Sequence, residues 1–253
     1  MLVNPNDLGT QLLYSTIQII CFIENDSVKT GTGVIINMRS QEKNTTIPIL
    51  VTNRHVINDS KNIIIDLHQT EEGRISEKHI KVEYKSSDFI CSDKLDIAIL
   101  PLAPVLNLAI TQNKNPFFKS IGEEIFLDEK KQEQLSAIEE IIFIGYPKGI
   151  SDERTKLPIV RKGITATPIW NNFNDSPEFL VDAETFEGSS GSPVFIYNNG
   201  GYFSNGGMVV GVRIIFLGII SKTIKDANDA YLGLGHVINA MSILEFIKQK
   251  VKV

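Results

Sequence analysis

Three residue types that together perform acyl transfer stand far apart in this chain of 253 residues. His55 follows the apolar run Ile49-Leu50-Val51-Thr52, Asp96 directly precedes Ile97-Ala98-Ile99-Leu100, and Ser190 lies within Glu187-Gly188-Ser189-Ser190-Gly191-Ser192-Pro193-Val194. A serine hydroxyl becomes an effective nucleophile when an imidazole takes its proton, and a carboxylate on the far side of the ring fixes the tautomer that can do so. The glycines beside the serine let backbone approach closely, so the N–H groups of Gly188 and Ser190 can converge on the oxygen of an attacked carbonyl. Each piece also has an ordinary structural reading. Gly/Ser clusters between apolar segments are usually turns, and a single histidine after a strand is more often structural. The chemistry requires all three.

The elements that would position these residues are mostly strands. Segments 16–23, 34–38, 47–52, 63–67, 79–84, 94–100, 137–144, 162–169, 178–182, 194–197, 209–221 and 231–238 are short and rich in β-branched residues, with Gly, Asn and Asp between them. That pattern predicts a sandwich or barrel rather than a helical bundle. Gly31-Thr32-Gly33 is expected to turn the chain. Asn6 or Asp7 would cap a short helix to Tyr14, and Asn239 a terminal helix over 239–250 on which Met241, Leu244, Ile247 and Val251 recur at helical spacing. The Pro-, Asn- and Lys-rich stretch 101–120 is expected to cross between two β-rich halves. Residues 128–134 are expected to form a solvated loop or helical turn, and the stretches 171–177 and 198–207 polar loops. His68 and His79 flank a charged loop and are expected at the surface.

Composition narrows the function classes. At 42% hydrophobic the chain can bury a substantial core, and a formal net charge of −5 without a long basic run argues against nucleic acid as a partner. The residues from Met1 to Asp7 lack a charged leader pattern and no apolar stretch reaches spanning length, which predicts a cytoplasmic protein without a membrane partner. Cys21 and Cys91 are too few for a disulfide framework or a tetrahedral metal site and are expected to act as small hydrophobes.

His55, Asp96 and Ser190 occur in the order His, Asp, Ser, 41 and then 94 residues apart. That is the chymotrypsin order, distinct from the orders of α/β-hydrolases and subtilisins. On this order the sequence resembles the chymotrypsin-fold, trypsin-like serine proteases over nearly its whole length. Val51-Thr52-Asn53-Arg54-His55-Val56-Ile57 and Asp96-Ile97-Ala98-Ile99-Leu100 are similar to motifs of bacterial high-temperature-requirement proteases. Gly188-Ser189-Ser190-Gly191-Ser192-Pro193-Val194-Phe195, Gly145-Tyr146-Pro147 and Val237-Ile238-Asn239 resemble bacterial glutamyl endopeptidases.

The resemblance implies an all-β fold of two six-stranded antiparallel barrels with a C-terminal helix. Residues 1–115 would carry His55 and Asp96, and residues 116–253 Ser190. It implies a serine endopeptidase acting on proteins or peptides through an acyl-enzyme, without metal or organic cofactor. Gly188 and Ser190 would supply the oxyanion donors, and Ser221 would hydrogen-bond the buried aspartate. Glu184 would fall at the floor of the specificity pocket, favouring Lys or Arg before the scissile bond, while Thr185 matches a threonine that glutamyl endopeptidases use. Glutamate specificity would also need a histidine where this chain has Ile220, and His236 would either neutralise Glu184 or be structural. Two departures stand out. The position that carries an aspartate in trypsin-like zymogens is Ser189, and the residue after His55 is Val56 rather than a disulfide cysteine. Activation by a freed amino terminus is therefore not expected; ordering of loops 171–177 or 198–207 by substrate or by a regulatory protein partner is expected to set activity instead. A silent binding or scaffold module, or an esterase using the same three residues, are the alternative readings.

Overall fold

In a computed structural model the described residues are 4, 6–24, 27–40, 45–204, 206–251. The expectations for Met1–Val3 and Pro5, for part of the loop 39–46, and for residue 205 lie outside them.

Helix α1 (Leu8–Tyr14) is capped by the Asp7 side chain, which accepts from the Thr10 N–H, so of the two caps the sequence allows it is Asp7 that serves. Nine strands follow in a first sheet: β1 (Thr16–Phe22), β2 (Val28–Arg39), β3 (Thr46–Thr52), β4 (Asn62–Glu71), β5 (Arg74–Tyr84), β6 (Ile90–Cys91), β7 (Ala98–Pro101), β8 (Pro116–Phe117) and β9 (Ile121–Gly122). The path runs β5-β4-β1-β2-β3-β7-β6, with β8 beside β4 and β9 parallel to β2. A one-turn helix α2 (Arg54–Ile57) interrupts it after β3. The chain then builds a closed six-stranded barrel, β10-β11-β12-β15-β14-β13, from β10 (Glu140–Gly145), β11 (Ile159–Thr165), β12 (Glu178–Asp182), β13 (Pro193–Ser204), β14 (Gly207–Lys225) and β15 (Tyr231–Asn239). The protein is thus mostly β, in two sheets, with a C-terminal helix.

Several expectations are corrected. The first sheet draws strands from as far as Gly122, so the change between sheets falls after residue 115, and stretch 101–120 contains a helix, α3 (Ala103–Thr111), as well as β8. Gly31-Thr32-Gly33 is no turn. It runs straight within β2, and the glycines are there because a Cβ at 31 would drive into Val56 and one at 33 into Leu50. The described residues of 198–207 belong to the outer part of the β13–β14 hairpin, paired from Asn198 with Arg213 to Ser204 with Gly207. The loop chemistry of its asparagines and glycines is overridden by pairing along a long ribbon. Residues 128–134 do hold a helical turn, α4 (Glu129–Gln132).

Asn239 caps the terminal helix α5 (Ala240–Lys250) through the Ser242 N–H at 2.8 Å. Its buried face is Ala240, Ile243, Phe246 and Ile247; Ile247 is buried as expected and Leu244 and Val251 pack against the same core, but Met241 is 49% exposed. The cap fixes where the helix starts, but the packing partner fixes which face turns inward. Those inward residues join Val34, Ile36, Ile99, Phe195, Phe216 and Ile238 in one core cluster that belongs to both sheets. Burying large side chains there, at roughly 1.5–3 kcal/mol each, holds the two sheets in register. Neither His68 nor His79 is solvated: His68 is 6% exposed and its ring lies 4.6 Å from that of His79. Among the described residues no helix is long and apolar enough to cross a membrane.

Candidate active site

The last residue of β3, Thr52, leads through Asn53 into α2, which carries His55 on a single helical turn. Lys29 secures that turn by donating to the carbonyls of His55 at 3.0 Å and Asn58 at 2.7 Å. Cations favour the carbonyl end of a helix, where backbone acceptors lack partners. Asp96 sits just before β7. Its backbone carbonyl accepts from Asn53 Nδ2 at 2.9 Å, and its two carboxylate oxygens take the His55 N–H at 2.9 Å and His55 Nδ1 at 2.5 Å. Backbone and ring are therefore held by one carboxylate, which leaves Nε2 to face the second sheet.

From the other side, Ser190 Oγ lies 2.9 Å from His55 Nε2 and 3.3 Å from the Ser221 carbonyl. The turn before β13 depends on two glycines with positive φ. A Cβ on Gly188 (φ 86°) would strike the Tyr146 carbonyl, and one on Gly191 (φ 86°) the Thr32 carbonyl. Among the described residues the N–H groups of Gly188 and Ser190 donate to no protein acceptor. Hollows flank the serine on both sides. One, of about 610 Å³, is lined by Arg54, Leu95, Phe186, Lys222, Thr223 and Tyr231 among others; the other, of about 620 Å³, reaches Lys29, Thr30, Lys148 and Gly188. A hydroxyl within hydrogen-bond reach of an imidazole that a carboxylate orients can be activated as a nucleophile, and it opens on two hollows. Among the described residues no group of three or more His, Cys, Asp and Glu side chains is arranged to hold a metal ion.

Residues 31–203 match the family model of the trypsin-like peptidase domain. The chain belongs to that family. Within trypsin-like peptidases, solved structures of similar fold include the HtrA-type protease AlgW with a tripeptide (16% identical, TM-score 0.54, 96% of this chain and 62% of that one). Its S227A form matches similarly, at 15% and 0.54, over 99% of this chain and 64% of that one. This chain therefore spans under two thirds of the length of those two proteins. The MamO protease domain from Magnetospirillum magneticum is 12% identical with a TM-score of 0.51, over 94% and 98% of the two chains. A scabies mite inactivated protease paralogue is 14% identical with a TM-score of 0.54, over 96% of each. No curated protein sequence matches significantly. At these identities the likeness speaks for the fold, a trypsin-like serine protease fold.

The structure separates the remaining predicted residues. Glu184 is not a pocket floor. Its side chain is 72% exposed and pairs with Arg161 NH2 at 3.1 Å, outside the lining of either hollow. Thr185 is buried, with its hydroxyl 2.8 Å from that of Thr223. His236 does not meet Glu184 but pairs with the buried Glu178, Nδ1 to Oε2 at 2.8 Å. Ser221 does not hydrogen-bond Asp96; its Oγ is buried without a partner among the described residues, and its carbonyl is the group that faces Ser190. Ser189 Oγ accepts from the Phe186 N–H at 3.3 Å, a local bond inside the loop.

Sequence reasoning missed Thr32, Asn53 and Lys148. Asn53 stands in the quoted histidine motif, but its hold on Asp96 is a contact across 43 residues that no spacing reveals. Lys148 adopts φ 51° in the turn after Pro147 and sends its N–H to the Glu187 carbonyl at 2.6 Å. Pro147 and Gly149 on either side of it are turn-forming residues, but nothing local shows what the turn holds.

Proposed function

We propose that the protein is a serine endopeptidase that hydrolyses peptide bonds through an acyl-enzyme on Ser190. The observation that carries this reading is the continuous contact from Asp96 through His55 to Ser190 beside two unbonded N–H groups. His55 Nε2 takes the Ser190 proton as Oγ attacks, Asp96 holds the tautomer and stabilises the imidazolium, and Gly188 and Ser190 bind the oxyanion. Each such donor is worth about 3–4 kcal/mol of transition-state stabilisation. The imidazolium then returns the proton to the leaving amine, and water repeats the sequence to release the acid.

A polypeptide substrate fits the site better than a small ester. β13 pairs with β14 only as far as Ile219, so Ser221, Lys222 and Thr223 present an unpaired edge to the cleft, where an extended peptide can add as a strand. The preference for Lys or Arg loses its support with Glu184 turned away. A scaffold role would leave the Asp96–His55–Ser190 contacts without a use. The deciding experiment is hydrolysis of casein and of matched ester and amide peptides, beside a Ser190→Ala control. Amide cleavage that disappears in the control supports the reading; ester cleavage alone, or none, overturns it.

A further inference from the structure

Thr32 is fully buried in the middle of β2, between two glycines, and uses every polar group it has. Its N–H donates to the Ser190 carbonyl at 2.9 Å. Its hydroxyl donates to the Gly188 carbonyl at 2.8 Å and accepts the Tyr146 N–H at 3.1 Å. Its carbonyl accepts Thr52 Oγ1 at 2.7 Å, one residue before Asn53 and three before His55. One residue thus joins the first sheet to the serine loop and to the turn at Tyr146 through its hydroxyl, and to the strand that delivers the histidine through its carbonyl.

The peptide planes show what these bonds accomplish. In a trans peptide the C=O and N–H point in opposite directions. The Glu187 carbonyl is held by the Lys148 N–H at 2.6 Å, so the N–H of Gly188 is turned the other way, towards the hollow that Gly188 and Ser190 line. Lys148 can hold it only while the turn starting at Tyr146 stays against the loop, and the Thr32 hydroxyl is what bridges the Tyr146 N–H to the Gly188 carbonyl. Ser189 offers no charge that could do this instead.

We propose that Thr32 is a positioning residue that keeps the Gly188 N–H in donor geometry, so that the first sheet itself holds the oxyanion loop assembled. This rests on the endopeptidase reading for its catalytic consequence, but not for its structural one. Without the hydroxyl, a buried carbonyl and a buried N–H both lose a partner. The loop recovers partners by rotating its peptides, and that rotation removes the donor from the cleft.

The test compares Thr32→Val, which keeps the shape and loses the hydroxyl, with Thr32→Ser, which keeps the hydroxyl. Rates are taken per site titrated with a serine-directed probe. The expected result is a kcat about 10–100-fold lower in Thr32→Val with KM within about 2-fold, because an impaired donor costs transition-state binding. Thr32→Ser should return kcat to within about 3-fold of wild type. A purely structural role would lower the melting temperature of Thr32→Val while leaving kcat per titrated site unchanged, and that result overturns the proposal. If Thr32→Val does not fold, Thr32→Cys, with a weak thiol donor, replaces it in the same comparison. Crystal structures of wild type and variant give an independent readout: the Gly188 N–H should leave the hollow in the variant, and an unmoved Glu187–Gly188 peptide overturns the proposal. If wild type hydrolyses nothing, the endopeptidase reading fails, and the orientation of that peptide still decides the role of Thr32.

Discussion

The two sheets contribute to one site in different currencies. The first supplies side chains, His55 and Asp96, from segments just beyond the ends of β3 and β7, each locked by backbone and carboxylate bonds. The closed barrel supplies one hydroxyl and, beyond it, peptide groups: two N–H donors, the Ser221 carbonyl and an unpaired strand edge. Side chains at strand ends can be oriented by a few hydrogen bonds. Peptide groups can be oriented only by fixing φ and ψ, which is why the serine loop needs glycines at 188 and 191 and a tether from the other sheet. A site split this way forms only when both sheets are docked, and their shared core of Val34, Ile99, Phe195, Phe216 and Ile243 provides that docking.

The largest effect should come from removing the groups at the meeting point. Ser190→Ala and His55→Ala are each expected to lower kcat by about 10⁶-fold, since residues that act as a unit lose nearly everything together. Melting temperatures should stay near that of wild type, and peptide turnover with calorimetry checks both statements. Retained activity in Ser190→Ala would break the division of labour outright.

Gly188→Ala tests whether the barrel's share is truly backbone. With φ at 86° and the Tyr146 carbonyl in the way, the added methyl must displace the loop. A loss of about 10²–10³-fold in kcat is expected, the size of one oxyanion donor. Gly206→Ala, on the same half at φ 76° but with open space around it, should leave kcat unchanged. Steady-state kinetics on the two variants separates a requirement for this loop from a general intolerance of the barrel.

The first sheet carries its own pH sensitivity. Burial, and then the neighbouring His79, push the His68 imidazole down to about 4 from its ordinary 6.5. The folded protein therefore keeps His68 neutral where the unfolded chain protonates. The stability from this group is fully present above pH 6.5 and is lost as pH falls towards 4, by up to about 3 kcal/mol. Urea unfolding between pH 7 and 4 should show that decline, and His68→Phe should flatten it. An equal slope in the variant would assign the decline to other groups.

The smallest effect belongs to Glu184. Because its carboxylate lies on Arg161 and outside both hollows, Glu184→Gln should leave the ratio of cleavage after Lys to cleavage after Glu within about 2-fold. A collapse of Lys cleavage in a peptide library would return Glu184 to the pocket.

The sequence by itself determined the strand-rich class, the helix cap at Asn239, the start of the first helix at Asn6 or Asp7, and the order His55, Asp96, Ser190, which structure and family membership then placed in one fold. These are local or ordinal properties. β-branched runs favour extended backbone whatever they pair with, a cap bonds within three residues, and chain order survives folding. The tertiary structure decided which neighbour each residue meets. Glycines 31 and 33 read as a turn because glycine permits one, yet they lie in a strand because Val56 and Leu50 pack over them. Thr32 has no local signal, since its partners are 20 to 158 residues away along the chain. Glu184 lies at the predicted place in the chain, but its side chain pairs with Arg161 rather than lining the cleft. His68 and His79 beside a charged loop look solvated until the cross-strand pairing of β4 with β5 sets them opposite each other, with the His68 ring edge-on to that of Tyr14. Hydrophobicity along a chain records how much surface must be buried; which surface covers which is fixed only when distant strands pair.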